Sequence, residues 1–387
     1  MKAHGLNPRI RKSPFFEATI ASGASQFHPY NGMWMPVGYD TPVNEYWNLV
    51  EHAGLWDVAV QRVIEISGPD ALAFMELLSP RAIAKVALGQ CRYIFLCNQD
   101  GGLLNDPVML RIAEDRFWIC CADADIYMWA KGVAVYADMN VSIETPAIYP
   151  LQIQGPASVK IVRALFGDDV LDLGYYRWMW VERNGQRFVL SRTGYSSEIG
   201  FELFFFGQTG GGALWNEILE VGAPFGLAPG SPNRIRRIEG GVLDYGSDIT
   251  TSETPFEVGL GARIDFDKGE FIGRAALMKM ADIPSKQIMC GAIIDGPALQ
   301  KNNEHRWPVY LGSQQIGVMT SAVHSPRLDQ NIGFALIERA HLDQNGLDED
   351  TGFTVQTAEG VRALSVTTMP FIDPQKTIPR QSLRDLV

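Results

Sequence analysis

A short strand-to-turn pattern occurs twice in this sequence, first as Ile66-Ser67-Gly68-Pro69 and later as Ile153-Gln154-Gly155-Pro156. Each copy follows a strand-like run and precedes residues with helical spacing, Ala71 to Leu78 and Ala157 to Phe166. This weak internal repeat predicts two similar α+β units. Because strands and helices do not alternate strictly between the copies, the pattern favours mixed or antiparallel sheets over a doubly wound parallel sheet.

The pattern changes after Lys279, where short apolar runs separated by Gly, Pro and Asn replace the mixed pattern. Short strands of this kind, broken by turn residues, are typical of a small sandwich or barrel. We therefore expect an all-β C-terminal domain. Its predicted strands are Ile288 to Ile294, Ile316 to Thr320, Ile332 to Leu336 and Ala363 to Thr367.

The formal net charge of the 387 residues is −11, and no Lys/Arg-rich run interrupts it. This balance argues against nucleic acid or an anionic membrane as a partner. No run approaches the ~20 apolar residues that a membrane helix needs. Residues Met1 to Ser13 also lack the apolar core of a signal peptide. We therefore expect a soluble, cytoplasmic protein.

The usual cofactor motifs are missing. The sequence contains neither a G-x-G-x-x-G turn nor a Walker A loop, which argues against dinucleotide and ATP chemistry. The 5 cysteines include no C-x-x-C pair, and the 6 histidines form no H-x-x-x-H pair. Neither set has the spacing of metal ligands, so we expect no metal site.

The segment Gly101-Gly102-Leu103-Leu104-Asn105-Asp106 lies between two runs that predict strands, Tyr93 to Leu96 and Val108 to Ile112. Taken alone, the segment is most simply a hairpin turn whose aspartate caps the backbone. The alternative is that Asp106 points into a pocket and does chemistry there.

A second segment runs from Arg192 to Glu202 and places that glutamate in an apolar run with Phe201 and Leu203. A carboxylate buried among apolar residues is costly unless it is paired. Glu202 therefore either binds a ligand or a partner, or faces solvent on an edge strand.

A third segment, Asn233 to Gly241, contains three arginines. On a helix, Arg234, Arg237 and Gly241 share one face and Arg236 points elsewhere. A solvated basic face and a site for an anionic ligand are both compatible with this spacing. A fourth segment, Phe271-Ile272-Gly273-Arg274, has a structural character and no evident chemistry.

Together and in this order, these segments resemble motifs of the glycine-cleavage T-protein (aminomethyltransferase) family. Gly194 to Glu202 is similar to that family's GYTGEDGFE signature, Arg237-Ile238-Glu239-Gly240 to RLEAG, and Phe271 to Arg274 to FIGR. The resemblance runs from about Phe15 to Met369-Pro370-Phe371. Within the family, the pair Asn105-Asp106 is more similar to the dimethylsulfoniopropionate demethylases than to T-proteins, which usually have Asp-Asp.

The resemblance implies an α+β fold, a three-domain cloverleaf with two ferredoxin-like-related α+β domains and a C-terminal β-barrel. The implied folate-binding domain comprises residues 1–50 and 145–255. The second domain, which carries Asp106, comprises residues 51–144 and 256–282, and the barrel comprises residues 283–387.

The resemblance also implies a tetrahydrofolate site. Asp106 would lie near the reacting nitrogen, and Glu202 would accept hydrogen bonds from the pterin. Tyr93 and Tyr195 would pack on the pterin. Arg237 would hold the anionic glutamyl tail. Tyr245, which follows the arginine segment, is a further candidate for folate contact.

A sulfonium donor suits an aromatic wall through cation–π attraction, for which Trp34, Tyr39 and Trp178 are the candidates. Ala124 would also line the donor pocket, at a position where demethylases of this type tend to have serine. These residues are equally compatible with ordinary core packing. A more apolar pocket would suit a methoxylated aromatic acid instead.

The favoured function is therefore transfer of a methyl group from a small sulfonium donor to tetrahydrofolate, by a monomer or a homo-oligomer. The alternatives are an O-demethylase of a methoxylated aromatic acid, a glycine-cleavage aminomethyltransferase, and a non-catalytic folate-binding assembly factor. The assembly factors share a KGCYxGQE-like segment. The corresponding stretch here, Lys268 to Arg274, lacks the cysteine.

Overall fold

The computed structural model describes residue 7 and residues 9–345 and 352–387.

The glycine of the repeated sequence pattern, Gly68 in one copy and Gly155 in the other, lies at the same kind of turn in both units. Gly68 and Gly155 have φ values of 123° and 117°, which favour glycine. A Cβ on Gly155 would also lie 2.4 Å from the carbonyl oxygen of Leu49. The strands and helices that they join are Arg62–Ser67 with Ala71–Leu78, and Ile148–Gln154 with Ser158–Phe166.

The first unit is built on a six-stranded sheet, antiparallel except that its last two strands pair in parallel. Helices that include Phe16–Ala21, Ser158–Phe166 and Gly211–Gly222 bury apolar side chains in the core of this unit. Ala53–Asp57 belongs to this sheet, although the predicted boundary after residue 50 places it in the other unit. In spatial order the strands are Trp178–Arg183, Gln186–Ser191, Gly200–Phe206, Ile148–Gln154, Ala53–Asp57 and Leu227–Gly230.

The second unit is built on a five-stranded antiparallel sheet. Its core includes Phe74, Met75, Phe117 and Ala130, which come from the sheet and from the helices Ala71–Leu78 and Ile126–Ala137. In spatial order the strands are Ser142–Glu144, Arg62–Ser67, Arg116–Cys121, Val108–Ala113 and Cys91–Tyr93.

The two sheets pack against each other through a separate apolar cluster. The Trp118 ring of the second sheet lies 5.8 Å from the Phe204 ring of the first, centroid to centroid. Val63, Leu110 and Val189 are buried in the same cluster. Close packing of these apolar side chains excludes water between the sheets and joins the two units.

The C-terminal β-rich region forms a closed six-stranded barrel. The sequence prediction of a small sandwich or barrel is confirmed, and closure leaves no exposed sheet edge. In spatial order the strands are Gln287–Ile294, Gln330–Glu338, Gln314–Ser325, Trp307–Leu311, Phe353–Thr357 and Gly360–Thr367.

Shorter elements complete the described part of the chain, and none of its helices is long and apolar enough to cross a membrane. The two small hairpins are Gln26–Tyr30 with Met33–Gly38, and Leu96–Cys97 with Leu103–Asn105. The other α-helices are Pro42–Glu51, Arg234–Glu239, Arg274–Ala281 and Arg339–Asn345. The 3-10 helices are Asp168–Asp172, Ala223–Phe225, Gly261–Arg263, Phe266–Lys268, Ile378–Arg380 and Leu383–Leu386.

The last residues of the chain return from the barrel to the first unit. Arg192 donates a hydrogen bond from Nη2 to the carbonyl oxygen of Pro379 at 2.9 Å. Arg384 forms two bonds of 2.8 and 2.7 Å with the carboxylate of Asp172. Leu383 is buried in the first core. The C-terminal end, which the predicted boundaries place with the barrel, therefore packs on the first unit.

The helix Arg234–Glu239 connects the first unit to the barrel. Arg236 donates from Nε to Glu198 of the first unit at 2.6 Å. Glu239 accepts hydrogen bonds from Tyr46 at 2.9 Å and from Ser325 of the barrel at 2.6 Å. Because these charged groups are buried, each requires its partner.

Arg237 forms the central contact of this helix. Its Nη1 lies 2.6 Å from a carboxylate oxygen of Asp248, and its Nη2 donates to Ser321 of the barrel at 2.7 Å. Asp248 also accepts hydrogen bonds from Thr320, Ser321 and the backbone of Asp244. Burial lowers the pKa of Arg237, but Asp248, Tyr195 and Asp244 together outweigh this effect, so the pKa is raised overall. The pair ties residues 237–248 to the barrel.

We expect Arg237→Met to lower the free energy of unfolding by about 3–5 kcal/mol, because Asp248 would be left as a buried charge without its cation. Urea denaturation followed by tryptophan fluorescence measures this loss. The control is Arg163→Met, which breaks the exposed pair with Asp168 at 2.7 Å, and its effect should be too small to resolve. Equal losses of unfolding free energy in the two variants would contradict the stabilising role of the pair between Arg237 and Asp248.

Candidate functional site

A cavity of about 880 Å³ lies at the meeting point of the two sheets, the 241–245 segment and the C-terminal end of the chain. Among the residues with predicted roles, Asp106, Tyr93, Tyr195 and Tyr245 line this cavity. The structure therefore brings together four residues that are distant in sequence.

The glycine turn positions Asp106. The turn joins the strands Leu96–Cys97 and Leu103–Asn105, and a Cβ on Gly102 would lie 2.2 Å from the carbonyl oxygen of Thr251. Leu103 also donates from its backbone N–H to the carbonyl oxygen of Glu253 at 2.9 Å. The close approach that glycine permits holds the turn against this loop, and Asp106 follows directly at the cavity wall.

The Asp106 carboxylate opens onto the cavity and accepts a hydrogen bond from the Tyr93 hydroxyl at 2.9 Å. Desolvation by the surrounding protein raises the pKa of Asp106 to about 7. The Tyr93 hydrogen bond lowers this pKa, and the neighbouring Asp244 and Asp248 raise it. A carboxyl group with this pKa can act as a proton acceptor near neutral pH.

Asn105 has a structural role beside Asp106. Its side-chain amide accepts from the backbone N–H of Ala122 at 3.1 Å and donates to the carbonyl oxygen of the same residue at 3.3 Å. An aspartate at this position would lack the donor for the second bond. The asparagine therefore holds the end of the strand Arg116–Cys121 next to the cavity.

The segment from Gly194 to Glu202 forms another wall. The Tyr195 hydroxyl donates to the carbonyl oxygen of Leu243 at 3.0 Å. A Cβ on Gly194 or Gly200 would lie 2.2 Å from the Gln154 side chain, so both glycines allow that glutamine to pack under the turn.

Glu202 lies behind the cavity wall, buried to 4% exposure. Gln152 donates to one of its carboxylate oxygens at 2.8 Å, and the hydroxyl of Thr193, which lines the cavity, donates to the other. Burial raises the pKa of Glu202, and the two hydrogen bonds lower it. The predicted solvent-facing alternative is therefore wrong.

Arg237 is absent from the cavity wall, because Asp248 and Ser321 engage its guanidinium. The solvated basic face proposed for this helix is also wrong, since Arg236 and Arg237 are buried. The spacing that places Arg234 and Arg237 on one helix face could not show that the face is directed toward Asp248 and the barrel.

The structure places the predicted donor-pocket residues away from the cavity wall. Met35 lines the cavity, and successive side chains of a strand point to opposite faces, so Trp34 faces away from it. Trp178 donates from Nε1 to the carbonyl oxygen of Arg111 at 3.1 Å. Ala124 and Tyr39 pack against the cores of the second and first units.

Sequence reasoning missed several cavity residues. Tyr30 and Asp244 lie in the electrostatic environment of one another and of Asp106. Tyr30 directly precedes the Asn31-Gly32 turn between the strands Gln26–Tyr30 and Met33–Gly38, and this turn is the local signal that could have drawn attention to it. No sequence pattern marks the basic residues at the cavity, which come from separate parts of the chain: Arg81, Arg92, Arg263, Lys376 and Arg380.

Two family models match the chain in sequence. The GCVT N-terminal domain matches residues 15–268, and the glycine cleavage T-protein C-terminal barrel domain matches residues 286–373. The chain belongs to the glycine cleavage T-protein family. Membership confirms the predicted enzyme class, a one-carbon transferase that uses tetrahydrofolate.

Relatives within the family differ in their named activities. The chain is 35% identical to the dimethylsulfoniopropionate demethylase DmdA of Ruegeria pomeroyi, over 92% of this chain and 96% of that protein. It is 31% identical to an aminomethyltransferase of Caldanaerobacter subterraneus, over 87% of this chain and 91% of that protein.

A solved structure has the same fold. The glycine cleavage aminomethyltransferase T of Bartonella henselae superposes with a TM-score of 0.81, covering 94% of this chain and 99% of that one at 23% identity. This likeness and the barrel confirm the predicted α+β cloverleaf of the T-protein type. In the described part of the chain, no cluster of three or more His, Cys, Asp or Glu side chains could hold a metal ion.

We expect the Asp106 carboxyl group to titrate with a pKa of about 7. NMR of its carboxyl carbon as a function of pH measures this pKa, and the signal that is lost in Asp106→Asn is assigned to Asp106. Tyr93→Phe should move this pKa upward, because it removes the donor that stabilises the charged form. Tyr176→Phe removes the hydroxyl of another cavity tyrosine and should leave the pKa unchanged. A downward shift in Tyr93→Phe would contradict the assignment.

Proposed function

We propose that this enzyme transfers a methyl group from a small sulfonium donor, similar to dimethylsulfoniopropionate, to tetrahydrofolate. The identity to a named demethylase supports this substrate class, as does the Asn105-Asp106 pair. The main support is the character of the cavity around Asp106.

The cavity around Asp106 is both aromatic and acidic. Tyr30, Tyr93, Tyr195 and Tyr245 line the cavity with Asp106, and Asp106 contributes to the electrostatic environment of the first two and of Tyr245. Aromatic faces and carboxylates both attract a cation. Tyr30 and Tyr245, which are not assigned to the pterin, thus take the role for which the sequence suggested Trp34, Tyr39 and Trp178.

In the proposed reaction, the lone pair of the tetrahydrofolate nitrogen attacks the methyl carbon as the carbon–sulfur bond breaks. The sulfur leaves as a neutral thioether, and the positive charge passes to the nitrogen. The Asp106 carboxylate stabilises this charge and accepts the proton that the nitrogen then loses. Tyr93 holds the carboxylate in place. Alignment of the nitrogen and the methyl group accounts for much of the acceleration.

The pterin would be recognised from the Glu202 side of the cavity. Glu202 has two neutral hydrogen-bond partners and no cation among the described residues, so its negative charge remains available to amino and ring N–H groups of a pterin. A carboxylate forms strong, charge-assisted bonds with such donors. Rotation of the Thr193 side chain would expose the Glu202 carboxylate to the cavity. Tyr93 and Tyr195 would pack against the ring faces.

The alternatives have different support. The O-demethylase hypothesis relied on an apolar pocket around Ala124 and extra tryptophans, and these residues are absent from the cavity wall. Aminomethyl transfer has support from the 31% identity to a named aminomethyltransferase. It predicts activity that depends on a lipoyl carrier protein.

A donor screen distinguishes these functions. The enzyme is incubated with tetrahydrofolate and either dimethylsulfoniopropionate, a methoxybenzoate or an aminomethylated lipoyl carrier, and methyl- and methylenetetrahydrofolate are separated chromatographically. We expect methyltetrahydrofolate with the sulfonium donor alone. Product from only one of the other donors would replace this proposal with the corresponding alternative.

Asp106→Asn should abolish methyl transfer while tetrahydrofolate binding stays within about tenfold, because the amide keeps the shape but neither accepts the proton nor stabilises positive charge. Initial rates and a fluorescence titration measure the two effects. Asp100→Asn is the matched control, since this aspartate is exposed in the turn of the hairpin that precedes Asp106. Undiminished turnover in Asp106→Asn would exclude the proposed role.

Glu202→Ala should weaken tetrahydrofolate binding by about 2–5 kcal/mol, the typical effect of removing one partner of a buried charged hydrogen bond. Calorimetric titration measures the change. Glu182→Ala, an exposed position on the edge strand Trp178–Arg183 of the same sheet, is the control and should bind normally. If the two variants bind tetrahydrofolate with equal affinity, Glu202 does not bind the pterin.

A further inference from the structure

Asp244 is a second carboxylate at the cavity, and the proposed reaction gives it no role. It lines the same cavity as Asp106 and is partly buried. Burial raises the pKa values of Asp106, Tyr30 and Tyr195, and the negative charge of Asp244 raises each of them further. The electric field of Asp244 therefore reaches the acidic and aromatic part of the cavity.

The loop after the helix Arg234–Glu239 holds Asp244 in a fixed position. The backbone N–H of Asp244 donates to the Asp248 carboxylate at 3.0 Å, and its carbonyl oxygen accepts from the backbone N–H of Asp248 at 2.8 Å. Because Asp248 is also paired with Arg237, that buried ion pair determines where the Asp244 carboxylate lies. A charge held in this way needs no rearrangement when a ligand binds.

The side-chain partners of Asp244 are neutral. The hydroxyl of Ser247 donates to one carboxylate oxygen at 2.6 Å, and the hydroxyl of Tyr195 lies 3.5 Å from the other. None of the ion pairs among the described residues includes Asp244. Two hydroxyl groups orient the carboxylate without neutralising it.

Two arginines lie in the wider surroundings of Asp244, and both are engaged by other groups. Arg234 and Arg237 are near enough to interact with its charge. Arg237 is paired with Asp248 at 2.6 Å, and Arg234 donates to the Asn303 side chain at 2.5 Å. The Asp244 carboxylate therefore remains available to a cation that enters the cavity.

Asp106 alone does not provide a constant negative charge for a cationic donor. Its pKa of about 7 leaves the carboxyl group neutral in part of the molecules near neutral pH. A second carboxylate attracts the donor in either protonation state of Asp106. Such attraction favours a sulfonium over an uncharged group of the same shape.

We propose that Asp244 is a specificity-determining residue, which selects methyl donors that carry a positive charge on the methylated atom. The inference rests on the proposed function, which places a sulfonium donor beside Asp106, Tyr30 and Tyr245. Asp244 attracts the sulfonium and takes no part in the transfer of the methyl group. The thioether product is neutral at sulfur, so the same carboxylate does not retain it.

A charged ligand and its uncharged isostere test the proposal. In isocaproate, a neutral CH group replaces the sulfonium of dimethylsulfoniopropionate, and the rest of the molecule is the same. Calorimetric titration of the full-length protein without tetrahydrofolate gives the dissociation constant of each ligand before any turnover. We expect the wild-type protein to bind the sulfonium more tightly by on the order of thirtyfold, because partly buried carboxylates face the charge.

Asp244→Asn should reduce this preference to about threefold and leave the affinity for isocaproate unchanged, because the amide keeps the shape and removes the charge. Asp295→Asn is the matched control, since this aspartate is exposed after the barrel strand Gln287–Ile294 and does not line the cavity. It should retain the wild-type preference. A wild-type preference in Asp244→Asn would overturn the inference and leave the proposed function intact.

The pKa of Asp106 in Asp244→Asn gives a second measurement. NMR of the Asp106 carboxyl carbon should show a lower pKa than in the wild-type protein, because loss of a neighbouring negative charge favours the charged form. An unchanged pKa would overturn the inference, since the field of Asp244 would then not reach the reacting group. If the wild-type protein binds neither ligand, the sulfonium donor of the proposed function is refuted together with this inference.

Discussion

The buried ion pair between Arg237 and Asp248 is the contact on which the assembly of this protein depends. One charge lies on a short helix and the other on the loop that follows it, and Thr320 and Ser321 of the barrel complete the hydrogen bonding of the aspartate. Neither charge is stable in a protein interior without the other. The pair therefore fixes the barrel against residues 237–248 and holds the 241–245 segment at the cavity.

The packing of the two sheets forms the opposite boundary of the cavity. Apolar side chains such as Trp118 and Phe204 join the sheets, and polar and charged groups occupy the region where this packing ends. Exclusion of water there raises the pKa of Asp106 toward neutrality. The same apolar interface that stabilises the fold thus adjusts the acidity of the group to which we assign the chemistry.

Charges of both signs line the cavity. Asp106 and Asp244 lie among tyrosines, whereas Arg81, Arg92, Arg263, Lys376 and Arg380 also line the cavity and form no ion pair among the residues that the structure describes. Mutual repulsion among like charges destabilises a folded protein, so each group is retained at some energetic cost. Such an arrangement suits a reaction in which a cationic donor and an acceptor with an anionic tail meet at one point.

Local sequence alone determined the two strand–glycine–helix units, the barrel strands and the turn before Asp106, because glycine conformation and apolar periodicity act over a few residues. Motifs in a fixed order also indicated the family. Tertiary structure alone decided that Arg237 faces Asp248, that Trp34 points away from the cavity, and that Arg81, Arg263 and Arg380 line one cavity. These outcomes depend on strand direction and domain docking between residues far apart in the chain, which local spacing does not encode.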